Sequence, residues 1–260
     1  MNVNEEREKI ASFIRIGLIV LTTIAIFGIG IEIIPGALAV SYKAESTKLP
    51  IHSVESEKKQ VAISFDVAWE NSHTSSILET LKTYQVKATF FVTGDWMKEY
   101  PEEVLDIYNA GHDIGNHSEN HKEMAKLTEE EMKKEVEEPQ QRLYELTGQK
   151  MNLFRAPYGE YSDRLLNVLE NLEYYCIQWD VDSFDWKDYD AKTIVGRIIN
   201  SKQLKNGSII LMHNDGKYTS EALPMVIETL RENGYEIVPI SKLIYKSNYI
   251  LDRNGRQIAK

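Results

Sequence analysis

The chain has 260 residues and a formal net charge of −10 at pH 7. A carboxylate-rich surface repels phosphate, so the charge argues against a nucleic-acid partner and leaves a neutral or amino-bearing glycan compatible. The length suits one large α/β domain with a substantial core. The single cysteine, Cys176, permits no intrachain disulfide, and its apolar neighbours predict a buried thiol.

The first forty residues have the composition of a membrane segment. Residues 16–31 carry no charge, and beyond Glu32 the weakly apolar composition continues to residue 40. A transmembrane helix needs about 20 apolar residues, and basic residues precede this run together with acidic ones. Two outcomes stay open. Residues 1–40 form a cytoplasmic stub and a single membrane anchor with the rest of the chain extracytoplasmic, or they are a signal whose cleavage releases a secreted protein.

Residues 41–60 are polar and charged, and we interpret them as a tether. From residue 61 onward, short strand patterns alternate with helical patterns. Such alternation predicts a parallel sheet, and seven strands predict a closed or nearly closed barrel. We therefore expect one domain over 61–245 and a C-terminal tail over 246–260. The predicted strands are 61–65, 88–92, 113–115, 152–154, 174–179, 208–212 and 236–239, and the predicted helices are 75–84, 102–110, 128–146, 162–171, 191–200 and 220–233.

Side chains suited to catalysis occur where the predicted strands end. In a barrel of parallel strands these ends gather at one face, and the chemistry of such barrels is placed there. A random scatter of charged residues would not follow the strand ends so regularly. The residues in question are Asp66, His117, His121, Arg155, Asp180, Asp182, Asp185 and His213.

His117 and His121 are candidate metal ligands. They are four residues apart, which would place both imidazoles on one helical face and suits a divalent ion of the Zn or Co type. The spacing by itself is equally compatible with two solvent-exposed histidines. The run Gly-His-Asp-Ile-Gly-Asn over 111–116 and the other strand-end residues favour a ligand pair.

Two further groups complete the predicted site. Arg155 precedes Ala-Pro-Tyr-Gly at 156–159, a rigid turn that would hold the cation against a carboxylate and keep that carboxylate ionised. His213 follows an apolar strand, and a nearby aspartate from 182–185 would orient its ring and raise its pKa. Each feature taken alone also fits an ordinary turn arginine or a structural histidine.

Five short motifs, in this order, resemble those of the NodB-type polysaccharide deacetylases. The resemblance covers most of the chain beyond residue 60. It implies a distorted (β/α)7 barrel that removes N-acetyl groups from a cell-wall polysaccharide such as peptidoglycan or a chitin-like glycan. The motifs are Ser64-Phe65-Asp66, Asn116-His117-Ser118-x-x-His121, Arg155-x-Pro157-Tyr158-Gly159, Asp182-Ser183-x-Asp185-Trp186 and Leu211-Met212-His213.

The resemblance also implies a role for each matching residue. The residues of proton transfer are Asp66 as the base, His213 as the general acid, Asp185 as the partner of the acid and Arg155 as the residue that tunes the base. The ligands of one divalent metal ion are His117 and His121. The substrate-binding residues are Tyr158, Trp186 and Pro157.

The first motif departs from the family pattern. Members with an aspartate pair use the second aspartate as the third metal ligand, and this chain has Val67 there. Ala68-Trp69 replaces the Gly-Pro that follows. A water, Glu70 or Asn71 would have to complete the metal site, or the site stays empty. This form of the motif resembles the sporulation branch of the family, the PdaB-like proteins, and implies a role in spore peptidoglycan maturation.

Two functions follow from these observations. The favoured one is a metal-dependent polysaccharide N-deacetylase, a hydrolase of non-peptide carbon–nitrogen bonds. The alternative is a catalytically impaired scaffold of the same fold that binds glycan through the same groove. The retained base, acid, arginine and histidine pair favour catalysis, whereas Val67 favours the scaffold. The aromatic groove residues disfavour an amidase that acts on a non-glycan substrate.

Overall fold

A computed structural model describes residues 48–260. The strands are Ser53–Val54 (β1), Gln60–Val67 (β2), Thr89–Val92 (β3), Asp113–Asn116 (β4), Leu153–Phe154 (β5), Tyr175–Cys176 (β6), Val181–Asp182 (β7), Ile209–His213 (β8), Glu236–Ile237 (β9), Tyr249–Leu251 (β10) and Arg256–Ala259 (β11). The helices are Thr74–Thr83 (α1), Gly94–Glu99 (α2), Pro101–Asn109 (α3), Glu129–Thr147 (α4), Asp163–Asn171 (α5), Ala191–Ile199 (α6), Thr219–Glu232 (α7) and Ile240–Leu243 (α8).

The main sheet is parallel and has the strand order β6-β5-β4-β3-β2-β8-β7, with β9 also pairing with β2. The prediction of an α/β fold with a parallel sheet is confirmed, and the curled sheet agrees with the distorted barrel that the resemblance implies. Each predicted strand is present, and β7 is an additional strand. The central strand β2 is buried along nearly its whole length, as is typical of parallel sheets that are covered on both faces.

The alternation of side chains along β2 divides the core into two parts. Val61, Ile63, Phe65 and Val67 belong to the apolar cluster that contains residues of α1, α6 and α7. The alternate positions, which include Ser64 and Asp66, point to the other face of the strand. Val67 is therefore a core residue with a fully buried side chain.

Strands occur in the segments that the sequence pattern assigns to a tether and a tail. The second sheet has the order β1-β11-β10, so strands from 48–60 and from 246–260 pair with each other. Ile51 and Val54 are buried, and the Val54 N–H donates to the carbonyl of Gly207 at 2.8 Å. The sequence pattern missed these strands because they are short, and because the partner of β1 lies at the other end of the domain, where Ser53 pairs with Arg256. The buried thiol predicted for Cys176 is confirmed.

The predicted anchor, residues 1–40, lies outside the described residues. Within residues 48–260, no helix has both the length and the apolar character needed to cross a bilayer. The membrane location stays a prediction from the sequence.

Gly207 offers a test of how β1 docks onto the main domain. Its φ is 82°, and a Cβ there would lie 1.8 Å from the carbonyl oxygen of Val54. Gly148 has a φ of 72° with nothing within 4 Å of its Cβ position, so it is the matched control. We expect Gly148→Ala to lower the free energy of unfolding by about 1–2 kcal/mol, the cost of a left-handed conformation.

Gly207→Ala should add a further loss of roughly 1–3 kcal/mol, because backbone atoms cannot move aside cheaply. Urea unfolding of both variants measures the difference. Equal losses would mean that β1 is not held against residue 207.

Candidate active site

Strand register brings the predicted catalytic residues to one edge of the sheet. Asp66 on β2 is the register partner of His213 on the parallel strand β8. The strands β4 and β5 also pair at their ends, so His117 and Arg155 leave the sheet side by side. The carboxyl ends of parallel strands meet at one edge, and the sequence predicted the chemistry at this edge.

Arg155 is a fully buried cation that contacts Asp66. Its Nη1 donates a hydrogen bond to Asp66 Oδ1 at 2.7 Å. Its Nη2 donates to the Ser64 hydroxyl at 2.9 Å and to the Gln178 carbonyl at 3.2 Å. The guanidinium carbon lies 4.1 Å from the centroid of the Phe91 ring. Arg155 is thus fixed in one position, and it reaches Ser64 and Asp66 together because both lie on one face of β2.

This contact sets the charge of Asp66. Burial alone would raise the pKa of the Asp66 carboxyl, but the positive charge of Arg155, with contributions from His117 and His213, lowers that pKa below its usual value. Asp66 is therefore ionised at neutral pH. Arg155 occupies Oδ1, and Oδ2 lies 3.5 Å from His117 Nε2. A base with one free oxygen is what proton abstraction from a water requires.

The surroundings of His213 favour its protonated form, whereas those of Asp66 favour the deprotonated form. Its Nδ1 donates to Asp185 Oδ1 at 2.8 Å. The other carboxylate oxygen of Asp185 accepts from the His213 backbone N–H at 2.8 Å and from the Thr219 hydroxyl at 2.6 Å. Burial would lower the pKa of His213, but the hydrogen bond and charge of Asp185, together with Asp66 and Asp215, raise it to about 9. His213 is therefore protonated at neutral pH and can act as an acid.

The helical spacing predicted for His117 and His121 is wrong. The segment between them is a loop in which Ser118 has a φ of 67° and His121 a φ of 53°. The imidazole centroids still lie 4.9 Å apart. The Asn116 side chain accepts from the Ser118 N–H, and the Ser118 hydroxyl accepts from the His121 N–H. A tight turn with local hydrogen bonds, rather than a helix, brings the two rings together.

Helix α4 supports this turn through a residue that the sequence analysis missed. The Glu135 carboxylate is buried and accepts from the backbone N–H groups of Glu119 and Asn120 at 3.1 and 2.9 Å. Glu119 in turn forms a bidentate pair with Arg142 on the same helix. Nothing in the local pattern marks Glu135, since acidic residues occur throughout α4.

The histidine pair has the chemistry of two metal ligands. The carbonyl of Arg155 accepts from His117 Nδ1 at 2.8 Å, so the neutral ring carries its lone pair on Nε2. His117 Nε2 lies 3.5 Å from Asp66 Oδ2, so two hydrogen-bond acceptors face each other. A cation or a water proton between them would stabilise this arrangement. Burial lowers the pKa of His117, and burial is also the main cause that lowers the pKa of His121 to about 4. His121 Nδ1 is buried without a hydrogen-bond partner in the described part of the chain.

A third protein ligand is missing from this arrangement. Val67 lies in the apolar core. The two substitutes considered from the sequence, Glu70 and Asn71, do not line the cavity that contains His117 and His121. Across residues 48–260, no group of three or more histidine, cysteine or acidic side chains is arranged to hold a metal ion. The residues present thus offer a metal ion two nitrogen ligands. Protein sites that bind zinc tightly offer three or four ligands.

One cavity of about 600 Å³ collects most of the predicted site. Asp66, His213 and both candidate ligands line it. Arg155 and Asp185 are fully buried behind this surface, as expected for residues that act through others. Asp180 is not part of it, since its carboxylate accepts from the Ile209 N–H and the Ser208 hydroxyl.

The aromatic lining of the cavity agrees with the prediction in part. Tyr158 and Trp186 line it and are more than half exposed. Pro157 does not line it but is buried at the start of the turn that presents Tyr158, which has a φ of 61°. Trp69 and Trp179 also line the cavity. Neither was predicted to line it, since Trp69 stands outside the matched motif 64–66 and Trp179 precedes the motif that begins at Asp182.

Comparison with known proteins agrees with this geometry. A family model described as polysaccharide deacetylase matches residues 53–177, which contain the first three motifs. The peptidoglycan-N-acetylmuramic acid deacetylase PdaA of Bacillus subtilis is 32% identical over 194 residues, which are 73% of each chain. The chain belongs to the polysaccharide deacetylase family. Another relative, the N-acetylmuramic acid deacetylase PdaC of the same organism, is 34% identical, and the match covers 77% of this chain and 42% of PdaC.

Solved structures extend the similarity to the fold. The structure of Bacillus subtilis PdaA, a family 4 carbohydrate esterase, is similar with a TM-score of 0.70, 30% identity and coverage of 75% of this chain and 84% of PdaA. A family 4 pseudoenzyme from Bacillus anthracis is similar with a TM-score of 0.73, 33% identity and coverage of 76% and 69%. A mutant of that pseudoenzyme is described as having restored enzymatic activity. Family membership therefore includes both active and inactive proteins.

The contact between Asp185 and His213 can be tested by titration. Asp185→Asn removes the charge that raises the His213 pKa, so we expect the midpoint to fall from about 9 towards or below the ordinary value of 6.5. A raised pKa stabilises the folded state fully below the ordinary value, and this stabilisation is lost as the pH rises through about 9. The wild-type free energy of unfolding should therefore decline over this range, and that of Asp185→Asn should not.

Histidine ring NMR across this pH range measures the midpoint directly. Asp190→Asn is the control, because the Asp190 side chain accepts from Thr193 and does not contact His213. An unchanged His213 midpoint in Asp185→Asn would contradict the assigned contact.

Proposed function

We propose that this protein is a polysaccharide N-deacetylase that hydrolyses acetamide groups of a cell-wall glycan. The observation that carries the proposal is the pairing of an ionised Asp66 with a protonated His213 on adjacent strand ends at one cavity. Amide hydrolysis needs both states at the same pH, because one group takes a proton from water and the other gives a proton to the amine. A scaffold that only binds glycan needs neither.

Each residue of the site has a separate role in the proposed reaction. Asp66 takes a proton from the attacking water, whose oxygen bonds to the acetyl carbon. His213 protonates the nitrogen as the carbon–nitrogen bond breaks, so the products are acetate and a free amine. Arg155 keeps Asp66 ionised before the reaction, and Asp185 keeps His213 protonated and oriented. Proton exchange with solvent returns Asp66 and His213 to their starting states.

A divalent ion held by His117 and His121 would supply Lewis-acid polarisation of the acetyl carbonyl. We infer that this chain binds such an ion, of the Zn or Co type, less tightly than relatives with an aspartate at position 67. The exposed aromatic side chains Tyr158 and Trp186 suit the apolar faces of sugar rings. A backbone N–H near Tyr158 would help to hold the oxyanion.

The named relatives support peptidoglycan as the substrate. PdaA and PdaC are N-acetylmuramic acid deacetylases, and a Listeria monocytogenes relative is an N-acetylglucosamine deacetylase. We propose peptidoglycan over a chitin-like glycan on this ground, with spore-wall maturation as the setting that the first motif suggests. The apolar run at 16–31 supports an extracytoplasmic location, either anchored to the membrane or released after signal cleavage.

The alternative is a glycan-binding scaffold that has lost catalysis. One observation favours it: Val67 lies in the apolar core, and neither Glu70 nor Asn71 lines the cavity with His117 and His121. The similar pseudoenzyme indicates that this family contains inactive members. The two functions make different predictions for acetate release.

Acetate release from an N-acetylated peptidoglycan fragment tests the proposal. Asp66→Asn should abolish the release, because a neutral amide cannot accept the proton. His213→Ala should slow turnover by about 100-fold to 10,000-fold, the usual contribution of general acid catalysis. The control Asp106→Asn changes an exposed carboxylate on α3 and should leave the rate unchanged.

Val67→Asp separates the two functions. If the missing ligand limits catalysis, this variant should release acetate faster and bind Zn²⁺ more tightly than wild type. Val67→Asn controls for placing a polar group in the core. No acetate from wild type or from Val67→Asp, with folding verified by circular dichroism, would favour the scaffold.

A further inference from the structure

Trp69 is an aromatic side chain whose exposure calls for an explanation. Its indole is 61% exposed at the rim of the cavity. In residues 48–260, five large apolar side chains are comparably exposed, and three of them line this one cavity: Trp69, Tyr158 and Trp186. Clustered exposed apolar surface of this kind is typical of a binding site.

Hydrogen bonds from buried side chains fix the loop that carries Trp69. The Glu70 carbonyl accepts from Asn214 Nδ2 at 2.7 Å and from Trp96 Nε1 at 3.4 Å. Asn214 is fully buried and also donates to the Thr74 hydroxyl at 3.1 Å. The backbone next to Trp69 is therefore tied to buried groups, so the indole is presented on a rigid support. Rigid presentation lowers the entropy cost of binding a ligand.

Trp69 and Tyr158 flank the His121 ring. The indole centroid lies 5.2 Å from the imidazole at an interplanar angle of 61°, and the Tyr158 ring lies 4.7 Å away at 71°. Both are tilted edge contacts, and both aromatic side chains remain 61% exposed. The contact with His121 thus positions these rings without covering them.

We propose that Trp69, together with Tyr158, forms a stacking platform for a sugar ring next to the one whose acetamide is hydrolysed. A pyranose has an apolar C–H face that packs on an aromatic ring. Trp69 and Tyr158 are each 61% exposed, whereas Asp66 is buried, so a ring stacked on the two aromatic side chains lies nearer the rim of the cavity than the Asp66–His213 pair. The assignment rests on the proposed glycan substrate, and it predicts that the site holds at least two sugar units.

Equilibrium binding tests the platform independently of turnover. Isothermal titration of the full-length chain would compare N-acetylglucosamine with tetra-N-acetylchitotetraose. Trp69→Ala should weaken tetramer binding by about tenfold, the scale of one aromatic contact, and leave monomer binding unchanged. Trp69→Phe should retain most of the tetramer affinity. The control Tyr144→Ala removes another exposed aromatic ring, on α4, and should change neither.

Three results would overturn the platform: equal tetramer affinity for wild type and Trp69→Ala, equal losses for Trp69→Phe and Trp69→Ala, or no wild-type binding at millimolar tetramer. Acetate release from the same tetramer is recorded separately. Trp69-dependent binding without acetate would support the platform while the proposed reaction fails. Acetate release together with binding that does not depend on Trp69 would support the proposed reaction and overturn the platform.

Discussion

The buried contact between Arg155 and Asp66 is the constraint on which the site depends. A guanidinium without solvent exposure is costly to desolvate, and such pairs often contribute little net stability. The contact instead sets charge and position. It keeps the Asp66 carboxylate ionised inside the sheet, and the Arg155 carbonyl fixes the His117 ring through Nδ1. One residue therefore organises both the base and a candidate ligand. Its loss would leave an uncompensated buried carboxylate, so the pair is coupled to folding as well as to chemistry.

The site maintains different protonation states within one cavity. Asp185, which is itself saturated by three hydrogen-bond donors, holds His213 as an imidazolium. His117 and His121 are neutral because burial lowers their pKa values and neither receives a comparable carboxylate contact. These differences follow from partners on separate elements rather than from the residue type. An ionised base, a protonated acid and neutral imidazoles are what metal-assisted amide hydrolysis uses.

Much of this arrangement could be predicted from the sequence, because strand patterns and strand-end residues are local signals. The helix expected at His117 and His121 was wrong because distant Glu135 stabilises a turn with two left-handed residues. Strand β1 was missed because its partner β11 lies about 200 residues away in the chain. Strand β10 was missed because its pairing with β11 covers only three residues. Pro157 was assigned to the groove because the motif does not reveal that its side chain is buried. The histidine turn and β1 depend on non-local contacts, whereas Asp66, Arg155 and His213 are placed by strand ends alone.

One cavity is thus expected to hold an ionised base, a protonated acid and neutral candidate ligands at the same pH. A long-range proton–nitrogen NMR spectrum of the histidine rings, recorded on the metal-free full-length chain at neutral pH, tests these protonation states. We expect His213 to carry protons on both ring nitrogens and His117 to be neutral with its proton on Nδ1. A neutral His213, or a His117 ring that is charged or protonated only on Nε2, would show that the assigned states are wrong.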